Sequence, residues 1–379
     1  MNTDDFIEMR RYLHQHPEVS ENEVSTSNYI RERMKEIWPD AELEVVQENG
    51  LIYSQENGEA KCHVAFRCEL DALPIQEVND FEYRSVNDGV GHKCGHDGHM
   101  AIVLRLADRL KQQFPENCRV TLIFQPAEEN GVGAKAMLEH SKFLKANQPD
   151  YYFALHNVPG FPESSVVVKY DEFTPAVISV KTYLHGKTSH AAEPENGINP
   201  AYTIAELLPE VRDQANFDRT SEDMVVVAAV EVQVGKHSYG TSAGEGMLGL
   251  TFRAWSQERL EYFKGWFEAH VEAKCEKAGI NCEFEWFDEF QSIVNDLSAT
   301  DAVRSAAEKL NYDLIAKNEP FSWGEDYGLF TQSAKGVMFG LGAGVDTPAL
   351  HNPDYDFPDN LIETGSELFY TILTEIIHD

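Results

Sequence analysis

Four short apolar runs, at residues 64–70, 120–124, 151–155 and 336–339, constrain this chain more than any other feature. Each has the length and composition of a strand. A helix-period segment near 100–114 separates the first two, and another at 301–310 precedes the last. Strands alternating with helices predict an α/β layer on a largely parallel sheet. Residues 4–36 add helix-period apolar positions (Phe6, Met9, Leu13, then Tyr29, Ile30, Met34), broken at His16-Pro17. The middle of the chain reads differently. There 177–184, 224–234 and 247–253 look like strands, with 200–215 and 257–278 as helices, which predicts a compact α+β insertion. The expected plan is an α/β domain formed by 1–173 and 290–379, split by an inserted α+β domain at 174–289.

Charge narrows the partners. Thirty-one Lys and Arg against 64 Asp and Glu give a net charge of −33. Such a surface repels phosphate backbones and anionic lipid heads, so neither nucleic acid nor a membrane is an expected partner. With 42% hydrophobic residues the chain still has material for a core, which argues against disorder. No stretch approaches the ~20 apolar residues of a membrane span. The segment Met1 to Asp5 lacks the basic start and apolar run of a secretion signal. The six cysteines are scattered without a regular framework and read as reduced thiols, so a cytoplasmic location is expected.

The densest chemical signal is Gly91-His92-Lys93-Cys94-Gly95-His96-Asp97-Gly98-His99. Histidine and cysteine are soft metal donors, and the glycines let the backbone turn tightly enough for them to converge. Cys94 and His96 lie about 200° apart on a helix, so they converge only from a loop feeding a helix that starts near His99. Further donors must come from other strand ends, where α/β sheets build their sites. Glu128-Glu129 follows Phe124-Gln125-Pro126-Ala127, His156 follows the run 151–155, and His351 lies near the C-terminus. Adjacent glutamates point in different directions, which leaves one for a metal and one for substrate. Asp71, in Asp71-Ala72-Leu73-Pro74, is placed to orient a ligand imidazole. In the insertion, His190 sits in the turn-rich run Gly186 to Pro194. The glycine run 340–344 lacks dinucleotide-loop spacing and is assigned to turn formation.

Taken together, these motifs resemble the metal-dependent N-acyl-amino-acid amidohydrolases. That family includes hippurate hydrolase, indole-3-acetyl-amino-acid hydrolase and N-acetyldiaminopimelate deacetylase, and is related to aminoacylase and carboxypeptidase G. The likeness runs nearly end to end: Arg10 to His14 with Pro17-Glu18, Asp71 to Pro74, Cys94 to His99, Phe124 to Glu129, His156, His190 to Ala192, Glu325-Asp326 and His351. The resemblance implies a catalytic α/β domain with an inserted lid or dimerisation domain, and a homodimer or higher homo-oligomer through that insertion. It also implies two divalent ions (Zn, Mn, Co or Ni), bridged by Cys94 and completed by His96, Glu129, His156 and His351. Glu128 corresponds to the general base, His190 to the residue that reaches the substrate carbonyl, and Asp71 to a supporting position.

The implied reaction is amide hydrolysis of a small N-acylated substrate by metal-activated water. A dipeptidase or carboxypeptidase would use the same site. A metal- or ligand-binding protein that had lost turnover would not need Glu128. Three departures from the family pattern bear on specificity rather than chemistry. Glu69 replaces an aspartate, Lys187-Thr188-Ser189 precedes the insertion histidine, and Gly240-Thr241-Ser242-Ala243 stands where relatives show N-V-I-P. That missing asparagine is expected to help hold a substrate carboxylate. Arg253, on the following strand, still matches and is a candidate for that role.

Overall fold

The computed structural model describes residues 1–236 and 238–378. Packing divides the chain into two units. One comprises Met1–Phe173, Ile293–Asn318 and the chain from Glu325 onward; the other comprises Thr174–Ser292 with Glu319–Gly324. The short segment Glu319–Gly324 therefore packs with the insertion, although the sequence pattern grouped it with 290–379.

In the larger unit an eight-stranded sheet runs in the order Glu42–Val46, Gly50–Asn57, Cys118–Gln125, Cys62–Glu69, Tyr151–Val158, Lys335–Gly342, Val166–Val168, Leu314–Ala316. The four strands from Cys118–Gln125 to Lys335–Gly342 are mutually parallel, as the α/β pattern predicts. Antiparallel pairing appears only toward the edges. The helices Thr3–Gln15, Val24–Ile37, His96–Gln112, Leu297–Lys309 and Leu361–His378 share one apolar core with this sheet. Helix His96–Gln112 is its central member, leaving only Arg105, Arg109, Lys111 and Gln112 outside the buried set. A helix apolar on nearly every side must be packed on nearly every side. No described helix is long and apolar enough to cross a membrane.

Because the four central strands are parallel, their carboxyl ends, at Glu69, Gln125, Val158 and Gly342, lie along one edge of the sheet. The glycine run assigned to turn formation belongs mostly to the last of these strands. A Cβ on Gly342 would stand 2.0 Å from the Pro162 carbonyl oxygen, so close backbone approach, not turning, requires glycine there.

The inserted unit has a four-stranded antiparallel sheet in the order Val225–Val234, Glu245–Ala254, Ala176–His185, Asn281–Phe290. Helices Pro200–Gln214 and Gln257–Ala278 pack with it around Phe252, Phe263 and Phe267. A two-stranded ribbon joins Ser189–His190 to Thr241–Ser242.

Candidate metal centre

The strand-end edge gathers most of the expected donors. Helix His96–Gln112 begins three residues earlier than the position near His99 that spacing predicts, with Cys94 just outside it. Gly95 makes the junction. Its φ of +95° is left-handed, and a Cβ there would lie 2.5 Å from Asn157 Oδ1, so glycine satisfies backbone and packing together. Across this junction Cys94 Sγ stands 3.5 Å from His156 Nε2. His156 Nδ1 donates to the Asn157 carbonyl at 2.9 Å, and His96 Nδ1 donates to the Asp71 carbonyl at 2.8 Å. A ring whose Nδ1 carries the proton presents Nε2 as a lone pair, the form a metal takes. Asp71 thus orients His96 chiefly through its main chain, with its carboxylate Oδ1 at 3.3 Å.

The two glutamates come from the turn after strand Cys118–Gln125. Expected to diverge, they instead reach the same nitrogen: Glu128 Oε2 and Glu129 Oε1 each lie 3.8 Å from His96 Nε2. The cause is Ala127, whose φ of +54° turns the chain left-handed just before them. His351 has a φ of +65° and its Nε2 lies 3.7 Å from Glu129 Oε2. Two non-glycine residues held left-handed at one site cost roughly 1–3 kcal/mol each, a strain that concentrates where geometry serves function.

These contacts fit metal ions better than they fit each other. Separations of 3.7–3.8 Å exceed a hydrogen bond but suit donors that share a cation at about 2.0–2.2 Å each. His96 Nε2 and Glu129 Oε1 are buried without a hydrogen-bond partner, which is costly unless something occupies the space between. Two donor groups, Cys94–His96–His156 and Cys94–Glu129–His351, each have all ligand atoms within 4.8 Å and share the thiol.

Electrostatics point the same way. Burial, then the carboxylates of Glu325, Glu129 and Asp326, pushes the Glu128 carboxyl well above its ordinary range. Burial raises Glu129 to about 7 against the pull of His96. Although burial opposes its charged form, the Asp71 and Glu69 carboxylates hold His96 at about 10. Burial lifts the Cys94 thiol far up, reinforced by Glu129 and Glu128, and drops His156 to about 3. These carboxylates and the thiol thus concentrate negative charge that protons offset, and cations would take the place of those protons.

Several supporting residues had no distinct signal in the sequence. Arg67, fully buried, donates to Gln125 Oε1, Glu325 Oε1 and Asp326 Oδ1 at 2.8 Å each and pairs with Glu69. Glu69 Oε2 in turn meets His99 Nδ1 at 2.6 Å, so the glutamate that replaces the family's aspartate is paired at both oxygens. Glu23, from the N-terminus of helix Val24–Ile37, accepts from the Ala127 N–H at 2.7 Å. A lone arginine in a strand and a glutamate opening a helix look like surface residues until the fold supplies their partners.

Family comparison settles the class. The model of Peptidase family M20/M25/M40 matches residues 65–375. The chain belongs to this family. It is a hydrolase of that family. It is 30% identical to the N-acetylcysteine deacetylase of Bacillus subtilis over 366 residues, covering 96% of this chain and 94% of that protein. It is 31% identical to an uncharacterized hydrolase of Staphylococcus haemolyticus over 334 residues, covering 87% and 86%. Among solved structures it is similar to the Bacillus subtilis YxeP protein, a dinuclear metal binding peptidase from the M20 family. That match has a TM-score of 0.84 at 27% identity, covering 99% of this chain and 98% of the other.

The remaining two expected residues of this M20 chain lie in the inserted unit. His190 is exposed in the ribbon, paired in register with Thr241, and its Nδ1 accepts from the Ala192 N–H at 3.1 Å. Thr241 and Ser242, from the run Gly240 to Ala243, are thus the strand partners of His190 and Ser189. Arg253, on strand Glu245–Ala254, donates to the Ser322 carbonyl at 3.1 Å. Burial lowers its affinity for the proton, and the charged group that adds to this is Arg219, a second cation.

Proposed function

We propose that this hydrolase removes the acyl group from an N-acyl amino acid, or a similar N-acylated amine, using two divalent ions (Zn, Mn, Co or Ni). The observation that carries the reading is the convergence of Cys94, His96, Glu129, His156 and His351 on one sheet edge, with Glu128 as a further carboxylate 3.8 Å from His96 Nε2. A thiol common to both donor groups supports Cys94 as the bridge between the ions. Bound there, the ions would acidify a water molecule and polarise the scissile carbonyl. Glu128 takes the proton from the attacking water and delivers it to the departing amine. His190 donates to the developing oxyanion, and Asp71 keeps His96 in its ligating tautomer. Arg253, beside another arginine and bonded to a carbonyl, is available to a substrate carboxylate.

In this reading the larger unit, built from residues 1–173 and most of 290–379, is the catalytic domain, and the inserted unit, 174–289 with its few added residues, is the lid. The outer edge strand Val225–Val234 exposes Val230, Val232 and Val234, which supports pairing of two copies through the inserted unit. The deacetylase relative supports an N-acyl amino acid as substrate, and the peptidase neighbour keeps a dipeptide as the second reading. The test is hydrolysis of N-acetyl and N-benzoyl amino acids and dipeptides with each of the four metals. N-acyl substrates are expected to turn over faster than dipeptides; the reverse order selects the peptidase. Glu128→Gln is expected to lose about 10²–10⁴-fold in kcat while binding the same metal content. Wild-type turnover in that variant would remove Glu128 from the mechanism.

A further inference from the structure

The Ala127 turn raises the question of what holds a methyl-bearing residue left-handed beside the two glutamates. Helix Val24–Ile37 begins immediately after Glu23, so Glu23 is placed to cap it, yet its side chain makes no capping bond. Glu18 caps instead, accepting from Ser25 N, Thr26 N and Thr26 Oγ1 at 3.2, 2.8 and 3.0 Å. The Glu23 carboxylate, fully buried, turns toward the site. Its Oε1 accepts from the Ala127 N–H at 2.7 Å and the Glu21 N–H at 3.0 Å, and its Oε2 accepts from Asn49 Nδ2 at 3.1 Å. No arginine, lysine or histidine among the described residues pairs with it. A carboxylate buried without a countercharge is expensive, and helix capping does not account for it.

The other end of the turn is held from the same loop. Ser20 Oγ donates to Asp71 Oδ2 at 2.7 Å, and that oxygen also accepts the Glu129 N–H at 3.0 Å. The Ala127 carbonyl is closed by the Gly133 N–H at 2.9 Å. Residues 18–23 thus brace the amides of Ala127 and Glu129, on either side of Glu128. Consecutive side chains on a regular strand point to opposite faces. Here Glu128 and Glu129 both come within 3.8 Å of one imidazole nitrogen, which the left-handed residue before them permits.

We propose that Glu23 is a positioning residue: its hydrogen bond to the Ala127 amide locks the left-handed turn that delivers Glu128 and Glu129 together to the metal centre. The inference rests on the ligand and base roles proposed for those two glutamates. It is tested by titrating the chelator-treated full chain with Zn²⁺ in a calorimeter, alongside kcat and KM. Glu23→Asp, one methylene short of Ala127, is expected to bind Zn²⁺ about 10–100-fold more weakly and to lose kcat more than KM. Glu23→Gln keeps an acceptor for the Ala127 N–H and is expected to stay within about threefold of wild type. Adding Ala127→Gly to Glu23→Asp is expected to restore most of the affinity, because glycine adopts positive φ without strain. Ile30→Ala, in the buried face of the same helix, controls for plain destabilisation and is expected to leave Zn²⁺ affinity unchanged. Asn49→Ala, which frees only Oε2, provides a milder loss should Glu23→Asp not fold. Wild-type Zn²⁺ affinity in Glu23→Asp and Asn49→Ala, or no recovery from the added glycine, overturns the proposal. Wild-type affinity in Glu129→Ala would instead overturn the ligand assignment beneath it.

Discussion

In the inserted unit the buried polar side chains are hydroxyls: Thr174, Ser179, Thr182, Thr203 and Ser292, with no charged group among the described residues. The larger unit buries Arg10, Arg67 and Lys93 with Glu69, Glu77, Asp71, Asp97, Glu325 and Asp326. Both have apolar cores of conventional kind, so stability alone does not explain the contrast. A buried ion costs several kcal/mol of lost hydration, and its partners return that only when every bond is made. The larger unit carries this burden around the strand ends that gather the proposed metal donors. Fold stability and site construction are therefore coupled there and separate in the insertion.

The sharpest way to break that contrast is Arg67→Met. It leaves Glu69, Glu325 and Asp326 buried without their common cation, and about 3–5 kcal/mol of stability should go with it, read from denaturant midpoints. Metal affinity should fall as well, because the chain from Arg67 through Glu69 reaches His99 beside the proposed ligands. The matching variant in the insertion is Leu207→Ala, fully buried in helix Pro200–Gln214. A cavity there should cost about 3 kcal/mol and leave Zn²⁺ affinity untouched. Equal loss of metal binding in both variants would erase the distinction between the units.

Next in size is a pH effect confined to the metal-free larger unit. His96 is held at about 10 rather than 6.5, so the folded chain retains a proton that the unfolded chain releases. Its contribution is complete below about pH 6.5 and is lost as pH rises toward 10, with a slope of at most about 1.4 kcal/mol per pH unit. Glu129, raised to about 7, acts with the same sign between about 4.5 and 7. Zn²⁺ should flatten the dependence by taking the place of the proton. Urea midpoints across pH 6.5–10, with chelator and with Zn²⁺, measure this. A chelator curve as flat as the Zn²⁺ curve would contradict it.

The same contrast explains what could be read without coordinates. Strands Cys62–Glu69, Cys118–Gln125 and Tyr151–Val158 were legible because a parallel strand covered on both faces is apolar throughout. Helix Gln257–Ala278 was legible to the residue at both ends, and in the structure Ser256 and Gly279 cap it. Strand Asn281–Phe290 was not read, although Cys282, Phe284 and Trp286 alternate with Asn281, Glu283 and Glu285 in the period of a half-buried strand; it lacks the continuous apolar run that marks the parallel strands. At the site, the cysteine–histidine block and Glu128-Glu129 carried the signal through residue type. Arg67 and Glu23 did not. Their meaning lies in partners dozens to hundreds of residues away, and a charge in sequence looks the same whether it ends in water or in a core.

The smallest effect tests the insertion's surface. Lys274 sits between Glu206 and Glu210 at 3.2 and 2.7 Å, with His270 2.7 Å from the other Glu210 oxygen. In a diagram this network resembles the Arg67 cluster, one cation among carboxylates. The difference is water: both glutamates and the lysine retain solvent contact, so the charges keep most of their hydration and the ion pairs gain little. Lys274→Met should shift stability by no more than about 1 kcal/mol in low salt. Because exposed charges are screened over about 3 Å at 1 M ionic strength, the shift should largely vanish there. Arg67→Met should keep most of its cost at the same salt, since salt does not enter a buried cluster. Midpoints for both variants at low and high salt decide the matter, and a Lys274 effect as large and salt-resistant as that of Arg67 would show that burial is not what separates the two units.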